Sequence, residues 1–185
     1  MRITIGSSDH LNTLARRMKR GNRQAAAEIY DELLPKAYGF FLMRTGRKEI
    51  AEDLSQSVFL KLIEGIDSFD PQKGRFTVWF WQMSRNLLID HYRKKKESPF
   101  SMFDDDAVEQ LAIAEAPDID EKLRYDHLKD FMATLAANER ELFELRYVAD
   151  MPFRDIALVL SKSEGSLRIA ALRVKKKIQK EFQYA

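Results

Sequence analysis

The sequence predicts an all-α protein of two small helical domains joined by an acidic linker, the second domain containing a helix-turn-helix. Three observations carry this. Apolar residues recur at intervals of three and four almost throughout, the spacing that lines one face of a helix. Only 7 glycines and 5 prolines stand among 185 residues, which leaves few breakers for a turn-rich β protein. Charge is segregated under a net value of +2. Residues 1–97 hold 18 Lys and Arg against 12 Asp and Glu, residues 98–121 none against 8, and residues 122–185 13 against 9. Two basic lobes therefore flank an acidic strip, and the domain bounds are set at 1–97, 98–121 and 122–185.

In the first lobe Ala26, Ile29, Leu33, Ala37 and Phe40 predict a helix that stops at Thr45-Gly46-Arg47. Leu54, Val58, Leu62 and Ile66 predict a second, its stripe widened by Phe59 and Ile63. Residues 68–74, Ser-Phe-Asp-Pro-Gln-Lys-Gly, read as a loop. A long third helix follows, with Phe76, Phe80, Met83 and Leu87 toward the core. From Glu97 to about Ile119 the period dissolves into an acidic linker with room for a short helix near Ala107–Ala114. The second lobe begins with a helix through Leu135, Leu142, Leu145 and Val148. Residues 151–177 then read as a helix-turn-helix. Pro152 suits a helix start, and Ile156, Ala157 and Leu160 point inward. The turn falls at Ser161, Ser163 caps the next helix, and Leu167, Ala171 and Val174 close the core.

Composition also excludes. With no cysteine there are no disulfides, thiolate metal sites or thiol nucleophiles, which suits a reducing compartment. No apolar run approaches the length of a membrane span, and the N-terminus has no signal-peptide pattern, so a cytoplasmic protein is expected. His10, His91 and His127 have no ligand spacing, and no phosphate-binding glycine loop occurs. Asp104, Asp105 and Asp106 read as a solvated run. No catalytic residue, metal or cofactor is expected.

Basic lobes favour a polyanion, because each Lys or Arg near a phosphate releases condensed counterions. The third helix sharpens this. Trp79, Gln82, Asn86 and Arg93 share one stripe, and Trp81, Arg85 and Tyr92 also fall away from the assumed core side. Two tryptophans two residues apart lie about 200° apart around a helix, so at least one meets a surface or interface. Exposed rings beside cations suit single-stranded DNA, each base stack being worth about 1–3 kcal/mol. In the helix-turn-helix, Arg168, Leu172, Arg173 and Lys176 are left outward, where a recognition helix meets the major groove. The run Ala51–Leu62 is amphipathic, with Asp53 and Gln56 on its polar side.

Together these segments resemble bacterial RNA polymerase sigma factors of the extracytoplasmic-function (ECF) type. Ala51–Leu62 is similar to the family's region 2.2. Phe76, Trp79, Ser84, Arg85, Asn86, Leu87, Ile89, Asp90 and Arg93 match the pattern of regions 2.3 and 2.4. Leu135–Phe182 is similar to region 4. The resemblance implies that Asp53, Gln56 and Phe59 dock core RNA polymerase. It implies that Phe69, Lys73, Arg75, Trp79, Trp81, Arg85, Asn86 and Arg93 read and melt the minus-ten promoter box, with a base flipped near the loop. Arg168, Leu172, Arg173 and Lys176 would read the minus-thirty-five box, and the linker would thread the polymerase channel. Core RNA polymerase, promoter DNA and an anti-sigma factor are the implied partners, with no membrane insertion. The chain departs from the family at Ser161, where Gly is usual, and at Arg168-Ile169-Ala170, which lacks a cation and a hydroxyl. A stand-alone helix-turn-helix regulator and a sigma mimic that sequesters an anti-sigma factor are the alternatives.

Overall fold

The computed structural model describes residues 7–95 and 130–182. The expected linker at 98–121, its short helix near Ala107–Ala114 and Asp104–Asp106 lie outside them. Among the described residues every regular element is helical. Helices α1 (Ser7–Lys19), α2 (Arg23–Thr45) and α3 (Lys48–Gly65) are followed by a 3-10 turn at Ile66–Ser68 and by α4 (Phe76–Lys95). The second unit holds a helical stretch at 130–134, α5 (Ala137–Phe143), a π turn (Glu144–Val148), α6 (Phe153–Leu160) and α7 (Glu164–Phe182).

Local chemistry sets the ends. Asn22 begins α2 by accepting the Ala25 N–H at 2.9 Å. Gly46 ends it in the left-handed conformation, φ 64°, with its N–H on the Leu42 carbonyl. α1 is an element the sequence stripes did not include, although Leu11, Leu14 and Ala15 are fully buried on one side of it. The helix expected through Leu135–Val148 is divided: Leu135 closes a turn, and after α5 the backbone widens into the π turn.

α4 is the hub. It packs against α1 and α3 and, from the second unit, against α6. One apolar core runs from Leu11 in α1 through Phe40, Phe80 and Trp81 to Ile156 and Ala171 in the second unit. A smaller cluster of Phe131, Met132, Leu135 and Val174 has Met43 of α2 packed on it. The backbone of α2 lies close to the second unit at Gly39, where a Cβ would lie 3.1 Å from Val148 Cγ1.

Candidate nucleic-acid interface

The loop before α4 is held in shape by its own polar groups. Asp70 Oδ1 accepts the Gln72 N–H at 2.9 Å, and Ser68 Oγ donates to the Gly65 carbonyl at 2.7 Å. Phe69 is buried, its ring 5.5 Å from Phe76 and 5.4 Å from Trp79. Lys73 stands at the exposed tip. Trp79 is half-buried over Gly65, whose missing side chain leaves room for the indole.

The other tryptophan corrects the sequence reading. Trp81 is 1% exposed, edge-on to Phe40 and Phe80 at 5.4 Å each. Tyr92, also expected outward, is buried, and its hydroxyl donates to the Arg44 carbonyl. The two indoles do diverge, but α4 has protein on more than one side, so turning away from Phe80 does not reach water. The buried stripe is Phe76, Phe80, Trp81, Ser84, Leu88 and Tyr92, with Met83 and Leu87 only half-buried. Asn86 and Arg93 remain exposed.

Arg75 and Arg85 face acids of the second unit. Arg85 Nε donates to Glu141 Oε1 at 2.7 Å, and Arg75 lies 3.6 Å from Asp155, which also accepts from Thr77 Oγ1 at 3.1 Å. Behind them Arg44 donates from Nε to Glu144 and approaches Glu141 at 3.7 Å. Arg140 Nε donates to the Met132 carbonyl at 3.0 Å. Burial pushes the Glu144 carboxyl up to about 7, against the opposing pull of Arg44. This seam is an ion-pair network, costly to leave half-made because a stranded buried charge is strongly disfavoured.

On α3, Asp53 and Gln56 are exposed, as expected of a docking stripe. Phe59 is 6% exposed and packs on Tyr30 and Phe80 at 4.7 and 5.6 Å, so it supports the helix and is not displayed on it. Leu60 and Ile63, 58% and 61% exposed, continue the outward stripe and were missed. Their spacing from Gln56 was the available signal, obscured because apolar residues were assigned inward by default.

The helix-turn-helix forms as read. Ser161 takes the left-handed turn position, φ 52° and ψ 44°, with its N–H on the Ala157 carbonyl. Ser163 Oγ accepts the Ser166 N–H at 3.2 Å. Ile156, Leu167, Ala171 and Val174 are buried. Val159 joins them, while Ala157 and Leu160 are half-buried. Arg168, Leu172, Arg173 and Lys176 are all exposed along α7. The Phe153 ring meets both the Arg146 and the Arg168 guanidinium, at 5.4 and 5.1 Å, and Arg168 also bonds Glu164 four residues back.

Two family models match these units: Sigma-70 region 2 over residues 29–98 and Sigma-70, region 4 over residues 126–178, together more than half of the chain. The chain belongs to the sigma-70 family. This sigma factor is 26% identical over 170 residues to the ECF RNA polymerase sigma factor BldN of Streptomyces coelicolor, an alignment covering 90% of this chain and 63% of that protein. It is 29% identical over 155 residues to the ECF RNA polymerase sigma factor SigM of Bacillus subtilis, covering 82% and 91%. These relatives place it in the ECF class. Its fold is that of CnrH, solved in complex with the cytosolic domain of CnrY (TM-score 0.65, 19% identity, 95% of this chain and 98% of that one). It is also that of the sigma factor RpoE, solved with the anti-sigma factor NepR from Bartonella quintana (TM-score 0.64, 20% identity, 85% and 96%). Sigma factors are in general regulators and not enzymes. Among the described residues no group of three or more His, Asp or Glu is placed to hold a metal, and no helix is long and apolar enough to cross a membrane.

Proposed function

We propose that this sigma factor, with no catalysis or cofactor of its own, joins core RNA polymerase in the cytoplasm and directs it to promoters. Residues 1–97 dock the enzyme and open the minus-ten box, residues 98–121 link, and residues 122–185 read the minus-thirty-five box. Asp53 and Gln56, with Leu60 and Ile63 beside them, form the docking stripe, and Phe59 braces it from beneath. Lys73, Arg75, Trp79, Arg85, Asn86 and Arg93 form the strand-binding face. Phe69 and Trp81 support that face from the core. Arg168, Leu172, Arg173 and Lys176 form the duplex-reading face. An anti-sigma factor is the expected regulatory partner, as NepR is for RpoE in the solved complex.

The observation that carries this reading is that α7 exposes Arg168, Arg173 and Lys176 while α4 and its loop expose Lys73, Asn86 and Arg93, within the two segments matched to regions 2 and 4, although Lys73 and Arg93 each pair with an aspartate three residues back and Arg75 and Arg85 are engaged by the second unit. Strand capture by Arg75 and Arg85 requires Asp155 and Glu141 to leave them.

The test is run-off transcription with purified core polymerase on a genomic promoter library, with permanganate reactivity of thymines. Selective start sites with reactive thymines near the minus-ten box are expected. Absence of any selective transcript would overturn the reading. A palindromic footprint made without polymerase would reassign the protein as a stand-alone regulator.

A further inference from the structure

α1 precedes the segment matched to region 2, which begins at residue 29. It nevertheless packs on α2, on α4 and on the 3-10 turn. Two of its polar side chains reach the loop that leads into α4. Asn12 Oδ1 accepts the backbone N–H of Phe76, the first residue of α4, at 2.7 Å. That N–H is one of the donors a helix start leaves without an intrahelical partner, so Asn12 caps α4 from another helix. At the other end of the loop Lys19 Nζ donates to the carbonyls of Asp67 and Phe69, at 2.7 and 2.8 Å. These carbonyls lie where the 3-10 turn ends, the place at which a cation is favoured. Between the two anchors run Asp70, Lys73 and Arg75, with Phe69 fixing the loop from beneath.

We infer that Asn12 and Lys19 are positioning residues for minus-ten recognition: together they clamp both ends of the 69–75 loop in the shape that receives the promoter strand. The inference rests on the sigma-factor reading and adds to it a pair of residues outside the matched region. A loop held at both ends offers the strand one shape, whereas a loosened loop can adapt to a disfavoured base, so the anchors act on the difference in affinity between bases.

The experiment uses the full chain with core polymerase on a panel of promoters carrying single-base changes in the minus-ten box. Lys19→Met keeps the aliphatic stem and removes both bonds. Asn12→Ala removes the cap. Each variant is expected to lose about tenfold in discrimination between the preferred and the disfavoured base at one or two positions. Saturated initiation on the best promoter should fall much less. Lys19→Arg and Asn12→Asp, which keep a donor and an acceptor in place, should restore most of the discrimination. Hydrogen exchange gives a readout independent of transcription: the Phe76 amide should exchange faster in Asn12→Ala. A loss spread evenly over all promoters and tracking the thermal midpoint would reduce these residues to fold support, and unchanged discrimination would overturn the proposal. Either result leaves the sigma-factor reading intact so long as the unaltered chain transcribes selectively. Failure of the unaltered chain to do so condemns that reading instead.

Discussion

Trp81 and Trp79 show how residue-scale surroundings change what a side chain can do. Trp81 is edge-on to two phenylalanines in the core, so Trp81→Ala is expected to destabilise by about 3–5 kcal/mol, read as a lower denaturation midpoint. Trp81→Phe should preserve promoter opening if folding is preserved. Asn86→Ala, at an exposed position, should leave the midpoint within about 0.5 kcal/mol while reducing permanganate-reactive complexes. If Trp81→Ala melted normally yet failed to open promoters, the core placement would be refuted. Ser161 gives a residue-scale prediction of opposite sign. A non-glycine residue at φ 52° carries strain, so Ser161→Gly should raise stability by about 0.5–1 kcal/mol, checked by calorimetry. The 200° divergence of the indoles was legible in the sequence. Which of them met protein was not, because that depends on Phe40, a neighbour contributed by α2 from 41 positions away.

Elements were more legible than sides of elements. The helix-turn-helix could be read residue by residue because its signals are local: Pro152 before α6, Ser163 capping α7, and small or branched side chains where helices cross. α1 is not among the sequence stripes although Leu11, Leu14 and Ala15 carry the spacing, since a short helix with four Arg and Lys in or beside its last turn looks like a solvated tail. Its polar residues matter only through partners more than 45 positions away, and no periodicity reports those. The periodicity predicts α3 as a helix, but Leu60 and Ile63 face out, against a rule that places apolar residues inside and that Phe59 obeys. Within the helix-turn-helix, Phe153 sets the direction of Arg168 by lying under its guanidinium. Phe153→Leu should keep the fold within about 1.5 kcal/mol and weaken binding to the minus-thirty-five duplex severalfold, with Phe153→Tyr restoring it. Equal duplex affinity in all three proteins would show that the ring steers nothing.

For the whole molecule the seam between the units is the decisive feature. Glu144 is wholly buried there among Arg44, Arg140 and Glu141, and burial raises its carboxyl from 4.5 to about 7. The folded chain therefore holds this proton more tightly than the unfolded chain. Its contribution is complete below pH 4.5 and is lost as pH rises through about 7, on the order of 1–3 kcal/mol. Glu139, lowered by its bond to Lys177, acts oppositely and only in acid. Denaturation midpoints measured from pH 5 to 8 should decline in the unaltered protein and flatten in Glu144→Gln; parallel curves would exclude Glu144 as the titrating group. Because Glu141 occupies Arg85, Glu141→Gln should let the free chain bind a fluorescein-labelled oligothymidylate about threefold to tenfold more tightly. Unchanged affinity would mean that the acid masks nothing. The near-touch of Gly39 and Val148 has a last consequence. A leucine at position 39 would favour α2 as a helix while crowding Val148 across the seam, so Gly39→Leu should loosen the π turn with the seam's charges unchanged, read as faster amide exchange at residues 144–148.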